Sequence, residues 1–186
     1  MENEIACNKI QAEQLKFFKS QLPCSRYIKH NQEHQFMLKV RKLNARKRIA
    51  LVAHDNKKKD LIEWAEFNKT VLARHELIAT GTTGKLLENA LDRPVKALLS
   101  GPLGGDQQIG ALIAGGDIDV LIFFWDPMEA QPHDSDVKAL LRVAIAWNCI
   151  VANDRATADF ILTSPLMMEE YMVNIPDYTT YLNRKI

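Results

Sequence analysis

The 186-residue sequence predicts an α/β three-layer sandwich on a five-stranded parallel sheet, and three observations point there. Short unbroken apolar runs recur along the chain. Segments with helical apolar spacing separate them. Each run stops at a polar turn, several of them rich in glycine or proline. Strand–helix alternation of this kind implies parallel pairing with helices on both faces. Strands buried on both faces read as continuous apolar runs, as these do.

The first predicted strand is Ile49 to Ala53, ended by His54-Asp55. Lys58 to Arg74 reads as a helix, with Leu61, Ile62, Ala65, Val71 and Leu72 roughly at helical spacing. His75 to Ala79 is a strand that stops at Thr80-Gly81, and Thr83 to Ala90 is a short helix. Val95 to Leu99 is a strand ended by Ser100-Gly101-Pro102. Gln107 to Ala114 is a helix with Gly115-Gly116 as its stop. Ile118 to Trp125 is the most apolar strand, ended by Asp126-Pro127. Val137 to Trp147 is a helix with Val137, Leu140, Leu141, Ala144 and Ile145 on one face. Ile150 to Ala152 is the fifth strand, and Thr157 to Leu162 a last helix with Thr157 as candidate cap. Five such units make a flavodoxin-like or Rossmann-like sheet. Right-handed crossovers place every strand's carboxyl end on one edge.

The unusual residues gather on that edge: His54, Asp55 and Lys58 after the first strand, Thr80-Gly81-Thr82-Thr83-Gly84 after the second, Ser100 to Asp106 after the third. Asp126-Pro127 and Pro132-His133-Asp134-Ser135-Asp136 follow the fourth. Open α/β sheets bind ligands at this edge. Exposed N–H groups at a helix start, beside Thr hydroxyls, form an anion cradle, and Ser100-Gly101 offers a second turn of that kind. Lys58 adds a positive charge. The Walker A spacing and the GxGxxG pattern are both missing, which favours a small phosphate over a nucleotide.

Asp106 follows Gly104-Gly105 at the start of a helix. It reads either as a cap or as a carboxylate brought close to a ligand by the two glycines. Asp55, Asp126, Asp134 and Asp136 fall on the same edge. Clustered carboxylates raise one another's pKa, so one of them could serve as a base near neutral pH. His54 and His133 could hydrogen-bond a carbonyl or an enediolate as neutral imidazoles. No HxH or HExxH spacing is present, so neither a metal nor a cofactor is expected.

Composition narrows the class. Apolar residues make up 47% and charged residues 25%, as in globular proteins. No apolar run reaches membrane-spanning length, and the N-terminus has no long apolar core of the secretory type. Three cysteines without CxxC spacing fit a reducing compartment, so a cytoplasmic location is expected. Residues 1–48 hold eleven Lys or Arg against four acids, a net +7 in a chain of net charge +1. Residues 1–45 therefore read as a basic extension, partly helical around Ile5 to Leu22 or disordered, and residues 46–186 as the catalytic domain. The extension carries no nucleic-acid-binding motif, and nucleic acid is not the expected partner.

The blocks Val52 to Asp55, Ala79 to Gly84, Leu99 to Gln108, Phe123 to Pro127, Pro132 to Val137 and Thr157 to Phe160 resemble those of bacterial methylglyoxal synthases. The resemblance runs from about residue 46 to the C-terminus. It implies a carbon–oxygen lyase that converts dihydroxyacetone phosphate to methylglyoxal and inorganic phosphate, a glycolytic bypass. It implies Asp106 as base, His133 as stabiliser of the enediolate, and Asp55, Asp126 and Asp136 in supporting catalytic roles. Substrate would be held by His54, Lys58, Thr80, Gly81, Thr82, Thr83, Ser100, Gly101 and His133. It further implies a homohexamer, phosphate as allosteric inhibitor, and an intersubunit pair of Arg142 with Asp55. Regulatory domains of carbamoyl-phosphate synthetase resemble the same fold, and a ligand-binding module is the rival expectation. Met37 sits near the position where shorter relatives begin, so the basic segment is either a true tail or the product of a start assigned too far upstream.

Overall fold

The computed structural model describes residues 38–129, 134–179 and 183. Five parallel strands form the central sheet: β2 (Arg48–Ala53), β3 (Glu76–Thr80), β4 (Lys96–Leu98), β5 (Val120–Phe124) and β6 (Ile150–Ala152). Their order is β4-β3-β2-β5-β6. The chain steps outward from β2 to β4 and then returns to the other side of β2. The switch point therefore falls between β2 and β5, where an open parallel sheet leaves a crevice at the strands' carboxyl ends.

The helices are α1 (Lys58–Phe67), α2 (Lys69–Leu72), α3 (Gly81–Leu91), α4 (Gly105–Ala114), α5 (Asp134–Ala146) and α6 (Arg155–Thr163). Alternation within the strands divides the core into two layers. Ile49, Leu51, Val120 and Ile122 pack with Leu61 and Trp64 of α1, Leu87 and Leu91 of α3, and Ala158 and Leu162 of α6. Ala50, Val52, Leu121 and Phe123 pack on the other face with Ile109 and Ile113 of α4 and Val137, Leu140 and Ala144 of α5. This is the three-layer sandwich that the sequence predicts. Among the described residues no helix is long and apolar enough to cross a membrane.

Three local features differ from expectation. The helix expected over 58–74 breaks at Asn68, whose side-chain amide donates to the Trp64 carbonyl at 2.9 Å and closes the first segment. The cap of α6 is Asp154 rather than Thr157: its carboxylate accepts from Thr157 N at 2.8 Å and Thr157 Oγ1 at 2.9 Å. A separate antiparallel ribbon pairs β1 (Leu38–Leu43) with β7 (Tyr171–Pro176), and no element was expected in either segment. β1 lies inside the stretch read as the basic extension. Buried Leu43 shares its face with Lys39 and Arg41, and Val40 on the other face is 58% exposed, so no apolar period-2 stripe marks the strand; Val173 of β7 is also buried.

Candidate active site

The strand ends enclose a cleft with about 510 Å³ of empty volume, open to solvent. Its lining includes His54, Asp55, Lys58, Thr80, Gly81, Thr82, Thr83, Ser100, Gly101 and Asp106, all expected from the sequence. Val52, Ala53, Pro102 and Phe123 complete it. Pro102 falls in the expected Ser100–Asp106 loop; Val52, Ala53 and Phe123 were not anticipated, because an apolar wall residue has the same sequence signature as a core residue.

One wall is the start of α3. Thr80 is its N-cap in extended conformation, and its side chain makes no cap hydrogen bond. The first-turn N–H groups of any helix lack intrahelical acceptors, and here they open beside the Thr82 and Thr83 hydroxyls. Gly81 has φ +42°, and a Cβ there would stand 2.8 Å from the Ser100 Cβ. The loop after β3 thus touches the loop after β4, so both donor sets face one space. Lys58 Nζ sits between Thr82 Oγ1 at 2.8 Å and Asp55 Oδ1 at 2.5 Å. The Asp55 side chain is 82% exposed, so the cation is only partly neutralised by a well-hydrated partner.

Asp106 forms the floor. It lies in the first turn of α4 and is 3% exposed. Gly104 has φ +101° and caps the helix. Gly105 was expected to permit close approach to a ligand. Instead a Cβ at Gly105 would lie 2.1 Å from the Leu99 carbonyl oxygen, so the glycine lets the backbone of α4 press onto the chain leaving β4. The Gly105 N–H donates to the Ser100 carbonyl at 2.9 Å, and Leu99 N–H donates to Gln108 Oε1 at 2.9 Å. These bonds place Asp106 in the same cleft as the α3 N-terminus and Ser100-Gly101.

His54 closes the third side. It is buried, with its ring edge-on to Phe123 at a centroid separation of 5.1 Å. Its backbone N–H donates to the Phe124 carbonyl at 3.2 Å, and its Nδ1 accepts from the Asp126 backbone N–H at 3.3 Å. An accepting Nδ1 is unprotonated, so the neutral ring carries its proton on Nε2.

Asp126 and Asp136 lie outside this lining. Asp136 is in the first turn of α5, and Arg142 is exposed farther along that helix. The Asp126 carboxylate accepts from Met128 N at 3.0 Å and from Asn56 Nδ2 at 3.4 Å. The Met128 N–H, then the Asn56 amide and the Lys57 charge, hold it below the ordinary carboxylate range. Asp126 is therefore not the raised carboxyl of the cluster. His133 lies outside the described residues. Among the described residues no group of three or more His, Cys, Asp or Glu could hold a metal ion.

Comparison with known proteins matches this arrangement to one family. The family model described as the MGS-like domain matches residues 60–152. The methylglyoxal synthase of Sodalis glossinidius is 56% identical over 147 residues, covering 79% of this chain and 96% of that protein. The chain belongs to the methylglyoxal synthase family. The methylglyoxal synthase of Pectobacterium atrosepticum is likewise 56% identical over 147 residues, covering 79% of this chain and 97% of its own. The crystal structure of methylglyoxal synthase from Elizabethkingia anophelis superposes with a TM-score of 0.76 at 60% identity, covering 80% of this chain and 97% of that one. As a family member, the chain is an α/β lyase whose matched region takes in most of the described residues.

Proposed function

We propose that this protein converts dihydroxyacetone phosphate to methylglyoxal and inorganic phosphate. The observation that carries the reading is the placement of one nearly buried carboxylate, Asp106, in the same cleft as an anion cradle built from the α3 N-terminus, Ser100-Gly101 and Lys58. Phosphate is held by Thr80, Gly81, Thr82, Thr83, Ser100, Gly101 and Lys58. Asp106 takes a proton from the C3 hydroxymethyl carbon, leaving an enediolate across C2 and C3. His54, donating through Nε2, holds the bound substrate, and His133 stabilises the enediolate oxygens on which charge develops. The electron pair then forms the C1–C2 double bond as the C1–O bond breaks and phosphate leaves. Protonation of the resulting enol at C1 gives the methyl group of methylglyoxal.

Asp55, Asp126 and Asp136 support these steps. Asp126 does so by presenting its peptide N–H to His54, and Asp55 by competing with phosphate for Lys58, which eases product release. A homohexamer inhibited cooperatively by phosphate, an Arg142–Asp55 pair between subunits and a cytoplasmic location belong to the same proposal and rest on family resemblance.

The test is methylglyoxal formation from dihydroxyacetone phosphate by the wild type and by Asp106→Asn, without added metal. Activity in the wild type, a loss of about 10³-fold or more in the variant, and loss of solvent-deuterium exchange at C3 are expected. A folded wild type that binds inorganic phosphate yet forms no methylglyoxal would instead identify a ligand-binding module.

A further inference from the structure

Asn56 stands outside both the cleft and the core, on an exposed turn between two site residues. Its amide nonetheless bridges two acidic side chains across the switch point. Nδ2 donates to Glu129 Oε2 at 2.7 Å and reaches Asp126 Oδ2 at 3.4 Å. The other Asp126 carboxylate oxygen accepts from Met128 N at 3.0 Å. The Asp126 backbone N–H meets His54 Nδ1 at 3.3 Å. Because Asn56 follows His54 by two residues, these contacts close a ring: imidazole, Asp126 peptide, Asp126 carboxylate, Asn56 amide, and the backbone back to His54.

We propose that Asn56, with Glu129 as its anchor, is a positioning residue that holds the Asp126 peptide over His54 and so keeps the imidazole in one orientation with its proton on Nε2. The physical reason lies in the donor. A backbone N–H cannot be lost by mutating its own side chain, but it can be moved. At 3.3 Å the bond to Nδ1 is already long for N–H···N, so a small displacement of the β5 exit breaks it. The inner half of the ring is held firmly by Phe123 and by the His54 N–H to Phe124 bond. The outer half depends on the Asn56 bridge. Two exposed, otherwise unremarkable side chains thereby determine which nitrogen of a buried histidine faces the cleft.

The step from ring orientation to substrate binding rests on the functional reading above, so the test separates the two. Ring ¹⁵N shifts of His54 are measured at neutral pH in wild type, Asn56→Ala, Glu129→Ala and the double variant, with the signals assigned from His54→Gln. The wild type is expected to show a fixed Nε2–H form and the variants a tautomer mixture. Both positions are solvent-exposed, and an unchanged unfolding midpoint excludes a general loss of structure. KM for dihydroxyacetone phosphate is expected to rise about five- to tenfold, the loss of roughly one hydrogen bond, with kcat within about twofold. The double variant is expected to be no worse than Asn56→Ala alone, because both side chains act through one contact. His54 signals unchanged in Asn56→Ala would overturn the proposal whatever the activity. Fixed wild-type signals that become mixed in the variants would sustain the clamp even if the wild type formed no methylglyoxal; only the functional reading would then fall.

Discussion

Gly105 and Leu99 are in backbone contact: a single added carbon at Gly105 would come within 2.1 Å of the Leu99 carbonyl oxygen and 2.9 Å of two further backbone carbons. These are main-chain atoms, tied by Gly105 N–H to Ser100 and Leu99 N–H to Gln108, so they cannot rotate aside. Gly105→Ala must push α4 away from the β4 exit. We expect a destabilisation of about 3 kcal/mol, the upper range for overpacking, and a loss of kcat larger than the loss of substrate affinity, because Asp106 travels with the helix. Urea unfolding and steady-state kinetics on one preparation check both; a variant as stable as wild type would show that the two segments are not in contact.

On the proposed function, phosphate competes with Asp55 for Lys58. The ammonium is shared by Asp55 and Thr82. Substituting Asp55→Asn leaves the full positive charge to the cradle, and the expected result is a two- to fivefold fall in the phosphate inhibition constant, about the worth of one exposed ion pair. Lys58→Ala is expected to move it the opposite way. Weaker phosphate inhibition in Asp55→Asn would mean that Asp55 orders Lys58 for the ligand rather than diverting it.

His75 is fully buried, and its Nδ1 accepts from the Lys47 backbone N–H at 3.2 Å. Burial first, then the charges of Lys47, Arg93, Arg74 and Arg46, depress its pKa from 6.5 to about 4. Between those values the unfolded chain binds a proton that the folded chain refuses. Stability is therefore full above about pH 6.5 and falls as the pH drops toward 4, by at most roughly 3 kcal/mol. In His75→Asn, whose side-chain oxygen can accept the same N–H, the loss between pH 7 and pH 4.5 should shrink. Equal pH dependence in the two proteins would assign the acid sensitivity to other groups.

Arg142 stands exposed on α5. If it pairs with a neighbouring subunit, Arg142→Ala should abolish cooperative inhibition by phosphate while leaving kcat within about twofold, since an exposed charge outside the cleft lining contributes little locally. Inhibition curves of unchanged steepness would remove Arg142 from the regulatory proposal.

The sequence by itself determined the strand–helix alternation, the edge on which the polar loops collect, and the residue types of the cleft. Those features are local: apolar runs such as Val120 to Phe124 need two-sided burial, and a residue such as Gly81, at φ +42°, ends a strand. It also carried enough family-specific blocks to place the chain among methylglyoxal synthases before any geometry was known. Contacts between segments distant in sequence were not legible. The β1–β7 ribbon joins residues more than a hundred positions apart, and Gly105 has no room for a side chain because of the Leu99 carbonyl. Asp126 reads as one of several clustered acids, yet a local N–H and the Asn56 amide lower its pKa, and its peptide rather than its carboxylate meets His54. Only the tertiary structure decided these points, because hydrogen-bond direction and atomic clearance depend on which backbones meet, and pattern along one chain does not encode that.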